Sequence, residues 1–520
     1  MLSFVDCAKK GTPSGGPRDT IPPVIVRSVP ENYNTNFTGN EIEIRFDEYI
    51  KLKDLNKELI ISPPMKFTPV ITPLSTSKTL KIKLLDTLKP NTTYSFNFGK
   101  SIVDNNEGNE FEYFKYIFST GSYIDSLKIS GKVKDAQLVA PEIPTTVMLY
   151  EATETFNDSL VYSEKPTYIT VTKDSTGTFE LTNLKEGKYL LLALKEKNND
   201  YIFQPQNDKI GFVKQLISVP SDSTYSLTLF KEVPDYKLAR PSQLGKNHIA
   251  FGYEGRADSL SIELLSQVPE DYVSTVFKDE KKDTLHYWFK PALETDSLTF
   301  KVTNRNKIDT TTIRLRELYK DSLNISAVKA GVLKLKDTFK LRANTPLVSF
   351  DAEKIQVMAK DSSLVHATIK LNKKFNWAEV FFPKQEDQSY SIQLQPGALT
   401  DFFEKSNDTL QFNVNTKLSS EYGTLSLTLV NVNRFPIIVQ LVDSKYNVVS
   451  KEYLSENKTV FFDELSPDKY FLRIIYDDND NGRWDSGNFL SRIEPEKIIY
   501  YPKQIEVRGN WSLNETFTLK

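Results

Sequence analysis

The sequence alternates apolar and polar residues with a period of two, in short runs broken by turn residues, over almost its whole length. Ile42-Glu43-Ile44-Arg45-Phe46 and Leu425-Ser426-Leu427-Thr428-Leu429 are two such runs. Successive side chains of a strand point to opposite faces, so this pattern buries one face of a sheet and wets the other. A helix needs apolar residues three and four apart, and that spacing is scarce. Asp54 to Ile61 could make a turn or two before Ser62-Pro63-Pro64 ends it. Aromatic residues reach 12%, and 26 Pro outnumber 20 Gly, a mixture that favours strands joined by turns. At 520 residues the chain exceeds one hydrophobic core and must divide into units of about 100 residues. The expected fold class is all-β, built of tandem β-sandwich domains.

Two long-range repeats set the divisions. Phe46-Asp47-Glu48, Pro90-Asn91-Thr92-Thr93-Tyr94 and Ile102-Val103-Asp104 return some 300 residues later as Phe350-Asp351, Tyr390-Ser391-Ile392 and Leu399-Thr400-Asp401. Phe179-Glu180-Leu181 with Gly187-Lys188-Tyr189-Leu190-Leu191 returns as Val460-Phe461-Phe462 with Asp468-Lys469-Tyr470-Phe471-Leu472. Alternation places Tyr189, Leu191 and Ala193 on one face, and Tyr470, Leu472 and Ile474 on another.

The first repeat, with its ending Phe118-Ser119-Thr120-Gly121, resembles the bacterial Ig-like domain of S-layer and other surface proteins. The second resembles the transthyretin-like fold of carboxypeptidase regulatory domains, in which a turn ending in Lys-Tyr feeds a buried strand. The resulting division is a signal remnant, lipidated cysteine and flexible tether over 1–21, read from the residues around Cys7, then an Ig-like domain at 22–122. A transthyretin-like β-sandwich at 123–232, an unassigned β-domain at 233–322 and a second Ig-like β-sandwich at 323–420 follow. A transthyretin-like β-sandwich with an acidic loop closes the chain at 421–520.

Cys7 is the single cysteine, so no intramolecular disulfide can form. The stretch Leu2-Ser3-Phe4-Val5-Asp6-Cys7 resembles the tail of a bacterial lipoprotein signal, which implies that the full signal starts upstream and that Cys7 is the lipidation site. The alternative is an incidental cysteine near a disordered end. Ala8 to Arg18 is dense in Gly, Pro and Lys, as a tether would be. Over its whole length the chain resembles an Ig-like outer-membrane lipoprotein of Bacteroidota. That resemblance implies an accessory role at an outer-membrane protein assembly or export machine, with outer-membrane proteins or machinery subunits as partners. The lipid anchor would be the hold on the membrane, with the cell surface favoured over the periplasmic face. Asp-Ser or Asp-Thr followed by an aliphatic residue or Thr occurs about a dozen times, as in Asp125-Ser126-Leu127 and Asp408-Thr409-Leu410, against the two or three expected from composition. The pattern is similar to the O-glycosylation acceptor of exported Bacteroidota proteins. Asp and Ser opening strands after turns would also produce it.

The best candidate for a chemical site is Asp477-Asp478-Asn479-Asp480-Asn481-Gly482-Arg483-Trp484-Asp485. Oxygen side chains at alternate positions followed by a glycine and an acid are what a calcium loop uses, so Asp477, Asn479, Asn481, Arg483 and Asp485 are the candidate ligand positions and calcium the candidate cofactor. With two alternate-position carboxylates, affinity would be weak, about 10⁻⁴–10⁻³ M. The competing reading is an Asx-rich turn without metal. The matching loop Glu196-Lys197-Asn198-Asn199-Asp200-Tyr201 lacks the glycine and carries lysines, and is expected to be empty.

Other chemistry is weakly signalled. Lys plus Arg total 66 against 68 Asp plus Glu, so no basic field exists for nucleic acid. His248, His286 and His366 lie far apart in sequence and read as strand residues rather than metal ligands. No nucleophile elbow, phosphate loop or zinc-protease motif is present, which points away from an enzyme and leaves no catalytic residues to name. Trp288, Trp377, Trp484 and Trp511 raise a glycan-binding alternative, against which stands core packing. A spacer or adhesin stalk is the remaining alternative.

Overall fold

The computed structural model describes residues 19–172, 174–257, 259–319 and 321–519. Cys7 lies outside the described residues. The chain is nearly all β and divides into two compact units, residues 1–232 with 486–495, and residues 233–485 with 496–520. The segment 486–495 thus leaves the C-terminal stretch that the sequence alone assigns to one domain.

The first unit opens with a sandwich whose larger sheet orders Ile25–Val29, Glu41–Leu52, Ser77–Lys83 and Val70–Thr72, with Ile102–Asp104 also paired to Glu41–Leu52. The facing sheet holds Ile60–Ser62, Thr93–Asn97 and Lys115–Ser119. Ile42, Ile44 and Phe46 enter the core with Leu80, Ile82, Phe96 and Phe118, while Glu43 pairs with Lys81 on the wet face. The helical stretch is one turn, Leu55–Glu58, entered through Asp54 at φ 49°.

The next sandwich packs Thr178–Leu184, Leu127–Asp135 and Thr224–Leu229 against Tyr168–Val171, Thr146–Glu151, Gly187–Lys195 and Lys209–Phe212. Tyr189, Leu191 and Ala193 share its core, and its first and last strands are parallel neighbours. In the second unit the C-terminal sandwich has the same plan. Val460–Leu465, Gly423–Val430 and Ser512–Thr518 face Val448–Leu454, Ile437–Val442, Asp468–Tyr476 and Ile498–Tyr500, with Gly423–Val430 and Ser512–Thr518 parallel and Tyr470, Leu472 and Ile474 buried.

Each repeated tyrosine has a defined task. Tyr94 and Tyr390 each accept, at the hydroxyl, the backbone N–H five residues earlier, from Lys89 at 2.9 Å and Gln385 at 2.7 Å. Tyr189 and Tyr470 each donate the hydroxyl to the carbonyl four residues earlier, Lys185 at 3.0 Å and Ser466 at 2.7 Å. A buried phenol must find a partner, and here it locks the turn that feeds its own strand.

Two further sandwiches precede the C-terminal one in the second unit. The first sets Lys237–Leu238, His248–Glu254, Thr284–Lys290 and Val273–Lys278 against Leu260–Leu264, Ser297–Asn304 and Lys307–Arg314, around Phe251, Tyr287 and Phe300. The other sets Ile325–Ala327, Phe339–Ala343, Trp377–Phe381 and Thr368–Asn372 against a sheet centred on Ser389–Leu394.

Candidate functional site

The acidic loop follows the buried strand Asp468–Tyr476, whose apolar alternation ends at Asp477. Asp477 is buried, and its oxygens accept the backbone N–H groups of Asn481 at 3.1 Å and Gly482 at 2.7 Å. Gly482 sits at φ 72°, which favours glycine and lets the chain turn back. Glu496, also buried, accepts from Asp478 N–H and Asp485 N–H, both at 2.8 Å, while Trp484 donates its indole N–H to the Glu496 carbonyl at 3.0 Å. Two carboxylates therefore staple the loop from inside.

Asn479, Asn481 and Asp485 do converge. The amides of Asn479 and Asn481 donate to one oxygen of Asp485, and the Arg256 guanidinium bonds to the other. Burial pushes the Asp485 carboxyl up, and the two amides and Arg256 more than offset it, leaving the group below its ordinary range. The Arg483 Nε lies 3.9 Å from Asp485. Of the five residues read as ligands, Asp477 has both oxygens turned to backbone donors, and the charge of Asp485 is balanced by a guanidinium. A calcium ion would have to displace Arg256, so the donor set as folded does not fit the ion. Among the described residues no three His, Cys, Asp or Glu gather to hold a metal.

The counterpart loop of the second sandwich explains why. Glu196 accepts from Asp200 N–H and Tyr201 N–H, both at 2.9 Å, in the position of Asp477. Asp208 accepts from Gln204 N–H at 2.8 Å and from the Lys197 backbone, in the position of Glu496. The same two-carboxylate framework folds both loops, one with lysines and no glycine at its tip. Alternating oxygens here are first a way to satisfy backbone donors. The other repeated pair behaves alike: Asp104 accepts four N–H groups, from Asn106, Glu107, Gly108 and Asn109, and Asp401 accepts from Phe403 and Lys405.

The segment 486–495 is the second feature that local sequence did not signal. Phe489 is fully buried in the first unit, with Phe212 at 5.6 Å and Tyr162 at 6.5 Å, and its N–H donates to the buried Glu232 at 2.5 Å. Arg492 lies over the Phe489 ring at 4.9 Å and grips Asp158 with two guanidinium nitrogens.

A third is a histidine pair. His248 and His286, read as isolated, stand on neighbouring strands with Nε2 and Nδ1 2.9 Å apart. The tryptophans divide differently from a sugar-binding platform: Trp288 and Trp377 are buried, Trp484 is half-buried, and Trp511 is 45% exposed beneath Arg508.

Among solved structures, the chain is similar to surface layer protein SbsC, domains 1-6, at 14% identity, covering 94% of this chain and 67% of that one with a TM-score of 0.16. It is also similar to the Bacillus anthracis TIE protein, at 13% identity over 98% of this chain and 76% of that one, TM-score 0.14. A Bacteroides ovatus mixed-linkage glucan utilization protein, SGBP-B, solved with a mixed-linkage heptasaccharide, matches at 10% identity over 72% of this chain and 93% of that one, TM-score 0.19. No curated protein matches the sequence. Residues 19–120 match the family of bacterial Ig-like domains, so the first sandwich is a bacterial Ig-like domain, followed in sequence by further sandwiches.

Proposed function

We propose that this protein is a lipid-anchored, non-catalytic scaffold of the outer membrane, acylated at Cys7 and facing the cell surface, and that it binds an outer-membrane protein or a subunit of an assembly or export machine. The observation that carries the reading is the edge of the first sandwich. Ile25–Val29 pairs on one side with Glu41–Leu52, and among the described residues no strand covers its other side. Val24, Val26 and Val29 along that edge are 52%, 61% and 56% exposed. Proteins ordinarily blunt such edges with charge, because open backbone groups beside apolar side chains accept a further strand. An added strand would gain main-chain hydrogen bonds from the edge and seat its side chains beside the valines. The tether read over 8–21 leads straight into this strand, which would keep the edge close to the membrane.

A sugar platform would need several coplanar exposed rings, and two of the four indoles are already packed away. The test is a photo-crosslinking residue at Val26, irradiated in intact cells, followed by extraction with the anchor in place. Capture of one defined outer-membrane protein, lost when Val24→Lys is added to the same probe-bearing chain, is the expected result. Recovery of the protein alone, together with binding to a polysaccharide, would overturn the reading. Mass spectrometry of mature Cys7 tests the anchor, and protease shaving of intact cells tests the outward orientation.

A further inference from the structure

The third sandwich along the chain carries an unusual outer face. His248–Glu254, Thr284–Lys290 and Val273–Lys278 lie side by side, with Ile249, Phe251, Leu285, Tyr287 and Phe289 turned into the core. The opposite face therefore carries His248, His286, Trp288 and Phe277, of which His248 and Trp288 are buried and His286 and Phe277 half-buried. The register sets His248 opposite Trp288 and Ala250 opposite His286, so the histidines are diagonal neighbours on one face. The His248 ring stacks on Trp288 at 3.8 Å and 12°, and Phe277 flanks His286 at 5.0 Å.

The polar atoms form a line. His248 Nε2 is 2.9 Å from His286 Nδ1, and His286 Nε2 is 3.4 Å from the Asp279 carboxylate. A proton on the nitrogen facing Asp279 leaves the other nitrogen of His286 with its lone pair turned toward His248. A carboxylate behind an imidazole is the usual device for fixing the tautomer of a metal-binding histidine. Burial holds both rings neutral, with His248 pushed down to about 3 by desolvation and by its neighbour His286. In the folded pair one of the two facing nitrogens donates to the other; with the His286 Nδ1 lone pair facing it, His248 Nε2 carries the proton, and the neutral ring frees that nitrogen for an ion by shifting to its Nδ1–H tautomer. His286 remains half-buried rather than sealed, which leaves an approach for an ion and its waters.

We propose that His248 Nε2 and His286 Nδ1 together bind one divalent transition-metal ion of the copper(II) or zinc(II) class, with Asp279 orienting His286 and water filling the remaining positions. Two metal–nitrogen bonds of about 2.0–2.1 Å at a tetrahedral angle put the nitrogens about 3.3 Å apart, so the pair opens by only a few tenths of an ångström from its present separation. Imidazole ligands select copper, zinc or nickel over calcium or magnesium. The site is independent of the acidic loop and of the scaffold role.

The test uses the full-length protein. Titration with copper(II) chloride, followed by electron paramagnetic resonance, should give one ion per chain with coupling to two imidazole nitrogens, displaced by excess zinc. His248→Phe and His286→Phe should each weaken binding by at least about tenfold, Asp279→Asn by about 10–100-fold, and His366→Ala should change nothing. Should a histidine variant fail to fold, ring-nitrogen shifts of the unaltered protein decide: zinc must move His248 Nε2 and His286 Nδ1 and leave His366 in place. Undiminished binding in the double His248→Phe, His286→Phe variant, or ring nitrogens that ignore saturating zinc, refutes the site.

Discussion

Glu196 should make the second sandwich less stable as pH rises. Its carboxyl is raised to about 7, first by burial and then by Asp200 and Asp208, against an ordinary value of 4.5, and the two N–H groups it accepts do not offset this. One of its oxygens is buried with no hydrogen-bond partner. The folded state therefore holds a proton that the unfolded state has lost between pH 4.5 and 7, and stability falls with rising pH through that window. Below 4.5 the carboxyl is protonated in both states and folding loses nothing; above 7 the destabilisation is complete. At 1.36 kcal/mol per unit the shift would cost about 3.4 kcal/mol, but the side chain is only half-buried and screening reduces this to about 1–2 kcal/mol. Glu196→Gln keeps an acceptor for Asp200 and Tyr201 and removes the charge. Hydrogen exchange of the strand Gly187–Lys195, corrected for the intrinsic pH dependence, isolates this sandwich from the rest of the chain. Between pH 5 and 8 the unaltered protein should lose about 5–30-fold in protection, and Glu196→Gln less than about twofold. Equal losses in both proteins would show the linkage argument to be wrong.

Three other perturbations have defined outcomes. Phe489→Ala empties an aromatic pocket and should weaken the seating of residues 486–495 by about 3–5 kcal/mol, read as faster proteolysis within that segment; an unchanged cleavage rate would count against the packing account. Asp104 is pushed up by burial but held below its ordinary range by four backbone N–H groups, so Asp104→Ala should cost about 3 kcal/mol and expose the Asn106–Asn109 amides to exchange, whereas a loss under about 1 kcal/mol would contradict the loop-folding role. Removing the guanidinium with Arg256→Ala should strengthen calcium binding at the acidic loop relative to the unaltered protein in a calorimetric titration, and equal affinities would mean that Arg256 does not guard Asp485.

The sequence carried the strands and the repeats because both are local. Alternation in Glu41–Leu52 and Gly423–Val430 reflects one dry and one wet face, and the tyrosines that mark the repeats bond within five residues of themselves. What joins distant segments was illegible. Arg256 meets Asp485 across 229 residues, and His248 meets His286 across 38 through a strand register that packing sets. The acidic loop misled for a different reason. Spacing shows where oxygens stand but not that Asp477 and Glu496 are already committed to backbone N–H groups. The cluster Phe489 and Arg492 gave no periodic signal because it lies outside any strand.

In the second sandwich and the C-terminal one the opening strand lies beside the closing one and runs the same way, Leu127–Asp135 with Thr224–Leu229 and Gly423–Val430 with Ser512–Thr518. A pull on the two ends of such a domain drags these neighbours in opposite directions along their own axes. The interstrand bonds are then loaded in shear, all at once, instead of unzipping singly from one end. A molecule fastened to a cell envelope at one terminus and gripped elsewhere by a partner would carry tension through these clamps and yield elsewhere first.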